Sequence, residues 1–128
     1  MERLLNKPCN IKDYSPKSLA FIGDGVFDLL VRELLVCEAN CPLSVLNKQK
    51  VNMVCCKAQA ESYLKISSLL TEEEETVYKR GRNANIIKPK NASLADYHSA
   101  TGLECLFGYL YLTDRIERIR ELFKVISE

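Results

Sequence analysis

Two carboxylates stand where carboxylates are costly. Asp24 lies within LAFIGDGVFDLL (residues 19–30), between Gly23 and Gly25, in a run that otherwise reads as a buried helix. Each glycine costs a helix interior roughly 1 kcal/mol relative to alanine, and a buried carboxylate without a partner costs more. Glu104 lies within ATGLECLFGYLYL (residues 100–112) and is the one acid or base between Asp96 and Asp114, His98 apart. At i−4, i−3 and i+4 it meets Ala100, Thr101 and Gly108, all small. Asp24 sits about 140° around its helix from Leu19, at the edge of an apolar stripe. Ala20 and Asp28 lie one turn away from it on either side. Two readings are open. Each acid pairs with a base inside the core, and the small neighbours let helices pack closely. Alternatively the carboxylates converge in a site of low dielectric, which attracts a hard cation such as Mg2+. Mg2+ held by carboxylates points to phosphate chemistry.

A second anomaly is one of charge. Between Glu75 and Asp96 there is no acid, and the interval contains Lys79, Arg80, Arg82, Lys88 and Lys90. The remaining 13 bases face all 17 acids, a balance of −4, so a chain of net charge +1 is strongly polarised. Asn83, Asn85 and Asn91 add neutral donors. Such a segment suits a phosphate backbone, or it is a solvated loop. Lys48, Lys57 and Lys50 extend the basic surface, or are ordinary solvated lysines.

The elements that must hold these groups read as helices. No run shows sustained period-two alternation. Ser15-Pro16 is a cap followed by proline at the first helical position, and the helix after it runs to about Cys37. Leu19, Ile22, Val26, Leu29, Leu30 and Leu34 form its apolar stripe. Cys41-Pro42 breaks the chain before a short helix over about 43–50 and a longer one over about 51–69. Thr71-Glu72-Glu73-Glu74 is a capping box. It opens a helix that ends near Arg80-Gly81, where glycine fits a C-terminal stop. A long helix covers 94–112. Thr113-Asp114 caps a last helix, with Ile116, Ile119, Phe123 and Ile126 on one face.

Bulk properties bound the rest. A length of 128 residues suits one domain, and 47% hydrophobic content suffices for a core. No apolar run reaches the length of a membrane span, and the first residues lack the apolar region of a secretory signal. The expected location is cytoplasmic. The six cysteines include the adjacent pair Cys55-Cys56, and Cys37-x3-Cys41 has no second pair. They read as reduced, small apolar residues and not as disulfides or zinc ligands. His98 reads as a surface or capping residue, six positions before Glu104 and off its face. Tyr97, Tyr109 and Tyr111 read as core or interface residues.

Taken together, these segments resemble a known family. LAFIGDGVFDLL resembles the signature helix of the ribonuclease III catalytic domain, and ATGLECLFGYLYL resembles its second acidic helix. KAQAE (57–61), TEEEE (71–75), YKRGRNAN (78–85) and PKN (89–91) resemble the Mini-III branch. The resemblance spans about residues 14–112. It implies an all-α, compact, homodimeric helical bundle, here a single domain over 1–128. It implies a Mg2+-dependent endoribonuclease, with Mn2+ as an alternative ion. The reaction is hydrolysis of double-stranded RNA to 5′-phosphate and 3′-hydroxyl ends. Mini-III enzymes lack the separate RNA-binding domain of ordinary ribonuclease III, for which this chain has no room. Their usual role is maturing the large-subunit ribosomal RNA precursor, in some cases with ribosomal-protein assistance. Asp24 and Glu104 match the family's essential acids and are the expected catalytic and metal-binding residues, with Glu61 a subordinate candidate. Arg80, Arg82, Asn83, Asn85, Lys88 and Lys90 are the expected RNA contacts, with Lys48 and Lys57 subordinate.

The sequence also departs from the broader family. Ordinary ribonuclease III has glutamates one and two turns before the signature aspartate, where this chain has Ala20 and Lys17. It has an aspartate three residues before the later glutamate, where this chain has Thr101. Fewer carboxylates leave one or two ions per site open. Two other classes remain in view: a non-catalytic RNA-binding module on the same fold, and a helical protein-interaction adaptor in which Asp24 and Glu104 are ion-pair partners.

Overall fold

The structure, a computed structural model, describes residues 2–85, 87, 90 and 93–128. Among the described residues all regular structure is helical. The first long helix, α1 (Pro16–Glu38), starts where Ser15 accepts a hydrogen bond from the Ser18 amide and Pro16 presets the first turn. α2 (Leu43–Val54) and α3 (Cys56–Ile66) follow, then a 3-10 turn over Ser67–Leu69. α4 (Glu72–Arg82) is opened by the full capping box: Thr71 Oγ1 accepts from the Glu74 amide at 3.1 Å, and Glu74 Oε1 accepts from the Thr71 amide at 2.9 Å. α5 (Leu94–Leu112) is capped by Ser93, and α6 (Ile116–Ser127) closes the chain.

α5 is the axis of the fold, and α1, α3, α4 and α6 pack around it. Its residues from Ala100 to Leu110 are buried except Glu104 and Tyr109, which are partly so. That explains why the run reads as apolar all round and lacks a polar face. Phe27 of α1 makes edge contacts with Phe107 at 5.5 Å and with Phe123 of α6 at 5.8 Å. Leu103, Leu106, Leu110, Ile119, Leu122 and Ile126 fill the space around them.

The crossing of α1 over α5 sets the site. A Cβ on Gly23 would lie 1.6 Å from the Glu104 carbonyl oxygen, and one on Gly108 would lie 1.9 Å from the Leu19 carbonyl oxygen. The two backbones therefore touch, and no larger residue fits at either position. Gly25 plays no part in this contact, since nothing lies within 4 Å of where its Cβ would stand.

Several boundaries differ from the sequence expectations. The break after α2 falls at Cys55, whose backbone is extended, and not near residue 50. Gly81 does not stop α4. It lies inside the helix, where a Cβ would meet Cys105 Cβ at 2.5 Å, and Asn83 is the cap. Thr113 and Asp114 do not cap α6. The Thr113 hydroxyl donates to the Tyr109 carbonyl, and the Asp114 carboxylate accepts from the Glu2 and Arg3 amides. The fully buried face of α1 is Leu19, Ala20, Gly23, Phe27 and Val31; of the expected stripe, Leu19 belongs to it, Val26, Leu30 and Leu34 pack partly buried against the core, and Leu29 is exposed. Ile22, Val26, Leu29 and Leu30 also line a groove of about 380 Å³, together with Tyr111, Ile116 and Ile119.

Candidate active site

Gly23 brings Asp24 with it. Because the α1 backbone lies against the Glu104 carbonyl, the next residue projects beside the Glu104 side chain. Asp24 and Glu104 line one cleft of about 280 Å³ with Lys17, Ala20, Phe21, Tyr97 and Thr101. The two acids share a hydrogen bond. Burial, then this contact and the Asp24 charge, push the Glu104 carboxyl up to about 8, and a hydrogen bond from Gln59 pulls in the opposite direction. At neutral pH without a cation, Glu104 therefore holds a proton and donates it to Asp24.

The donor chemistry fits a hard divalent ion. The two carboxylates line one cleft and the Asp24 charge adds to the cost of ionising Glu104, which is the arrangement a cation would relieve. Among the described residues no cluster of three or more His, Cys, Asp and Glu side chains converges. A cation here would take two protein carboxylates and fill the rest of its shell with water, as Mg2+ readily does. Thr101, at the position where the broader family has aspartate, donates its hydroxyl to the Tyr97 carbonyl at 3.0 Å. Ala20 offers no donor.

The other expected residues scatter. Glu61 is exposed and lines a different groove, with Phe27, Asn52, Met53, Lys65 and Ile126, so it does not join the Asp24–Glu104 cleft. Asp28, one turn from Asp24, is held by Arg32 at 2.5 Å and Lys50 at 3.5 Å, which also removes Lys50 from a free basic surface. Arg80, Asn83, Asn85, Lys90, Lys48 and Lys57 are exposed. Arg82 is half-buried, with its guanidinium 5.7 Å from the Tyr78 ring centroid and its Nε donating to Asn83. Lys88 and Asn91 lie outside the described residues. His98 is half-buried, not on the surface, and its Nδ1 has no hydrogen-bond partner among the described residues. Tyr97 borders the cleft. Tyr109 donates to Glu73, and Tyr111 accepts from the Leu4 amide. Cys56 lies near enough to Glu104 to feel its charge, and burial followed by that charge raises its thiol. Such a thiol stays protonated and unreactive.

Sequence reasoning missed Gln59. It is 3% exposed and close enough to Glu104 to favour its charged form. The available signal was its register: Gln59, Ser62 and Ile66 share the buried face of α3, so a polar residue there needs an internal partner.

The model of the Ribonuclease III domain matches residues 17–115, a span that contains both acids and the crossing that joins them. This chain belongs to the ribonuclease III family. It is accordingly an endoribonuclease of the type that acts on double-stranded RNA. Within that family it is similar to a Mini-ribonuclease 3 of Thermoanaerobacter sp. (strain X514), with 44% identity over 112 residues, 87% of this chain and 79% of the relative. A Mini-ribonuclease 3 of Clostridium tetani is 39% identical over 121 residues, covering 91% and 79% of the two chains. A crystal structure of a Fusobacterium nucleatum protein superposes with a TM-score of 0.85 at 32% identity, covering 93% of this chain and 92% of the other. This member of the ribonuclease III family thus has the family fold around the Asp24–Glu104 cleft.

Proposed function

We propose that this chain is a Mini-III ribonuclease that uses Mg2+ to hydrolyse double-stranded RNA, leaving 5′-phosphate and 3′-hydroxyl ends. The observation that carries the reading is the meeting of Asp24 and Glu104, 80 residues apart in sequence, in one cleft. Asp24 and Glu104 are the residues that hold Mg2+ here, with Mn2+ an alternative ion. The bound ion would supply an acidified water and neutralise charge at the scissile phosphate. Asp24 offers its carboxylate from the rim of the cleft. Glu104 has to release its proton before it can bind a cation, so binding at neutral pH sets a proton free. Burial of α5 around Glu104 opposes that proton release, and strengthens the attraction between the ionised carboxylate and a cation.

Recognition of the duplex follows from charge. A-form RNA hides its base edges in a deep major groove, so shape and phosphates dominate. Arg80, in the last turn of α4, and Asn83, Asn85 and Lys90, which follow that helix, are exposed and are assigned to phosphate contacts, with Lys88 joining them on sequence grounds. Lys48 and Lys57 are subordinate contacts. Arg82 acts chiefly by fixing the end of α4 against Tyr78.

The assembly assigned is a homodimer. Its support is the apolar groove lined by Ile22, Gly25, Val26, Leu29, Leu30 and Ile116. The substrate assigned is the large-subunit ribosomal RNA precursor, the usual role of the Mini-III branch, with ribosomal-protein assistance as in that branch. The cytoplasm is the matching location, and among the described residues no helix is long and apolar enough to cross a membrane.

The test is a long RNA duplex at low salt, with and without Mg2+, comparing wild type with Glu104→Gln and Asp24→Asn. Binding and cleavage are read on the same samples. Mg2+-dependent cutting that both variants lose while still binding supports the assignment. Binding without cutting in the wild type favours the RNA-binding module.

A further inference from the structure

Gln59 is an unusual choice for its position. It lies at 3% exposure on the face of α3 that packs against α5, with Ser62 and Ile66. Ser62 satisfies its hydroxyl locally, by donating to the Ala58 carbonyl at 2.9 Å. Methionine or leucine would fill the Gln59 volume without burying an amide. The amide does find a use: it is buried where α3 packs on α5, close enough to the Glu104 carboxyl to favour its charged form.

An amide at that place solves a mechanical problem. The Glu104 backbone is fixed, because its carbonyl lies against Gly23. Its side chain nevertheless has three rotatable bonds between that backbone and the carboxyl group. Asp24 cannot hold it in the ionised state, since two carboxylates repel. A neutral N–H donor can. Carboxylates that bind metals are commonly oriented by outer hydrogen-bond partners, and losing such a partner typically costs 10–100-fold in metal affinity or activity.

We propose that Gln59 is a positioning residue. Its amide N–H binds one carboxylate oxygen of Glu104 from the α3 side, leaving the other turned toward Asp24 to receive a divalent cation. The proposal rests on the assignment of Asp24 and Glu104 as the metal-binding pair. It adds a third helix, α3, to a site that otherwise draws on α1 and α5 alone.

The test is Mn2+ binding to the full chain without RNA, followed by the loss of the free-ion paramagnetic resonance signal. Gln59→Met keeps the volume and removes the donor. Gln59→Asn keeps the amide but withdraws it by one methylene, and serves if the methionine variant fails to fold. Either variant should bind Mn2+ about 10–100-fold more weakly. Both should keep the wild-type melting temperature in EDTA within a few degrees, and their affinity for an RNA duplex in EDTA should be unchanged. Cleavage should recover toward the wild-type rate as Mn2+ is raised to saturation. Unaltered Mn2+ affinity in a folded variant would overturn the proposal, as would a drop in melting temperature with no change in metal affinity. Failure of the underlying assignment looks different: the wild type itself would bind no Mn2+, and Glu104→Gln would change nothing.

Discussion

Neutralising Glu104 should make the metal-free protein more stable. The Glu104 carboxyl stands at about 8 in the folded chain, against 4.5 for an ordinary glutamate. The native state therefore holds this proton more tightly than the unfolded state does. For a raised acid the sign is clear: its contribution is most favourable below pH 4.5, declines as pH rises to about 8, and is level above. Integrated to pH 7, the cost of ionising the unfolded but not the folded side chain comes to about 3 kcal/mol. Glu104→Gln abolishes that cost. The glutamine amide can donate to Asp24, and its oxygen can accept from Gln59. Urea unfolding in EDTA should place the variant about 3 kcal/mol above wild type at pH 7, and less than about 1 kcal/mol above it at pH 5. A divalent cation should reverse the order. At a hundredfold excess over its dissociation constant it stabilises a binding protein by about 2.7 kcal/mol, and only the wild type should respond. If the variant were less stable than wild type at pH 7 in EDTA, and the wild type flat between pH 5 and 8, the two acids would not be held together as described.

Other perturbations separate the parts of the molecule. Asp24→Asn should reduce cleavage to background while leaving the chain folded, because Asp24 is exposed and no part of the core; circular dichroism melts alongside duplex cleavage check both halves. Gly23→Ala should prevent α1 from seating on α5 and lose the folded state or its activity. Gly25→Ala has open space and should stabilise by up to about 1 kcal/mol from helix propensity alone, measured by the same urea titration. Removing Arg80 and Lys90 together should reduce the slope of log affinity against log salt by about 2, as two phosphate contacts are lost; an unchanged slope would exclude both from the duplex interface. Val26→Glu, which puts a charge into the apolar groove along α1, should shift sedimentation from dimer to monomer without lowering helix content.

Much of this chain was legible because local rules were obeyed. Thr71 and Glu74 made the capping box their spacing announced, and Ser15-Pro16 opened α1 where it should. Where local rules misled, tertiary contact had overridden them. Gly81 reads as a helix stop, yet it is a contact point for Cys105 and Gly102 within α4. The stripe of α1 was right for Leu19, Val26, Leu30 and Leu34 but missed Phe27 and Val31 and included the exposed Leu29, because apolar residues extend over more than one face of the helix. Periodicity cannot say which face turns inward when more than one is apolar.

The sequence by itself determined the helices, the two anomalous acids and the polarised charge, because each depends on residue type and short-range spacing. It also pointed to close approach at Gly23, Gly25 and Gly108, since bulk missing from an apolar helix implies it; the contact forms at Gly23 and Gly108 and not at Gly25. Only the tertiary structure decided what the acids face. Asp24 and Glu104 meet because two glycines allow backbone contact between helices far apart in sequence. The same packing sends Glu61 to another groove and Asp28 to Arg32 and Lys50. Gln59 shows the limit most clearly. An amide carries no charge and marks no motif, and its partner lies on another helix. Its role is a matter of direction and distance, which the packing of α3 against α5 fixes.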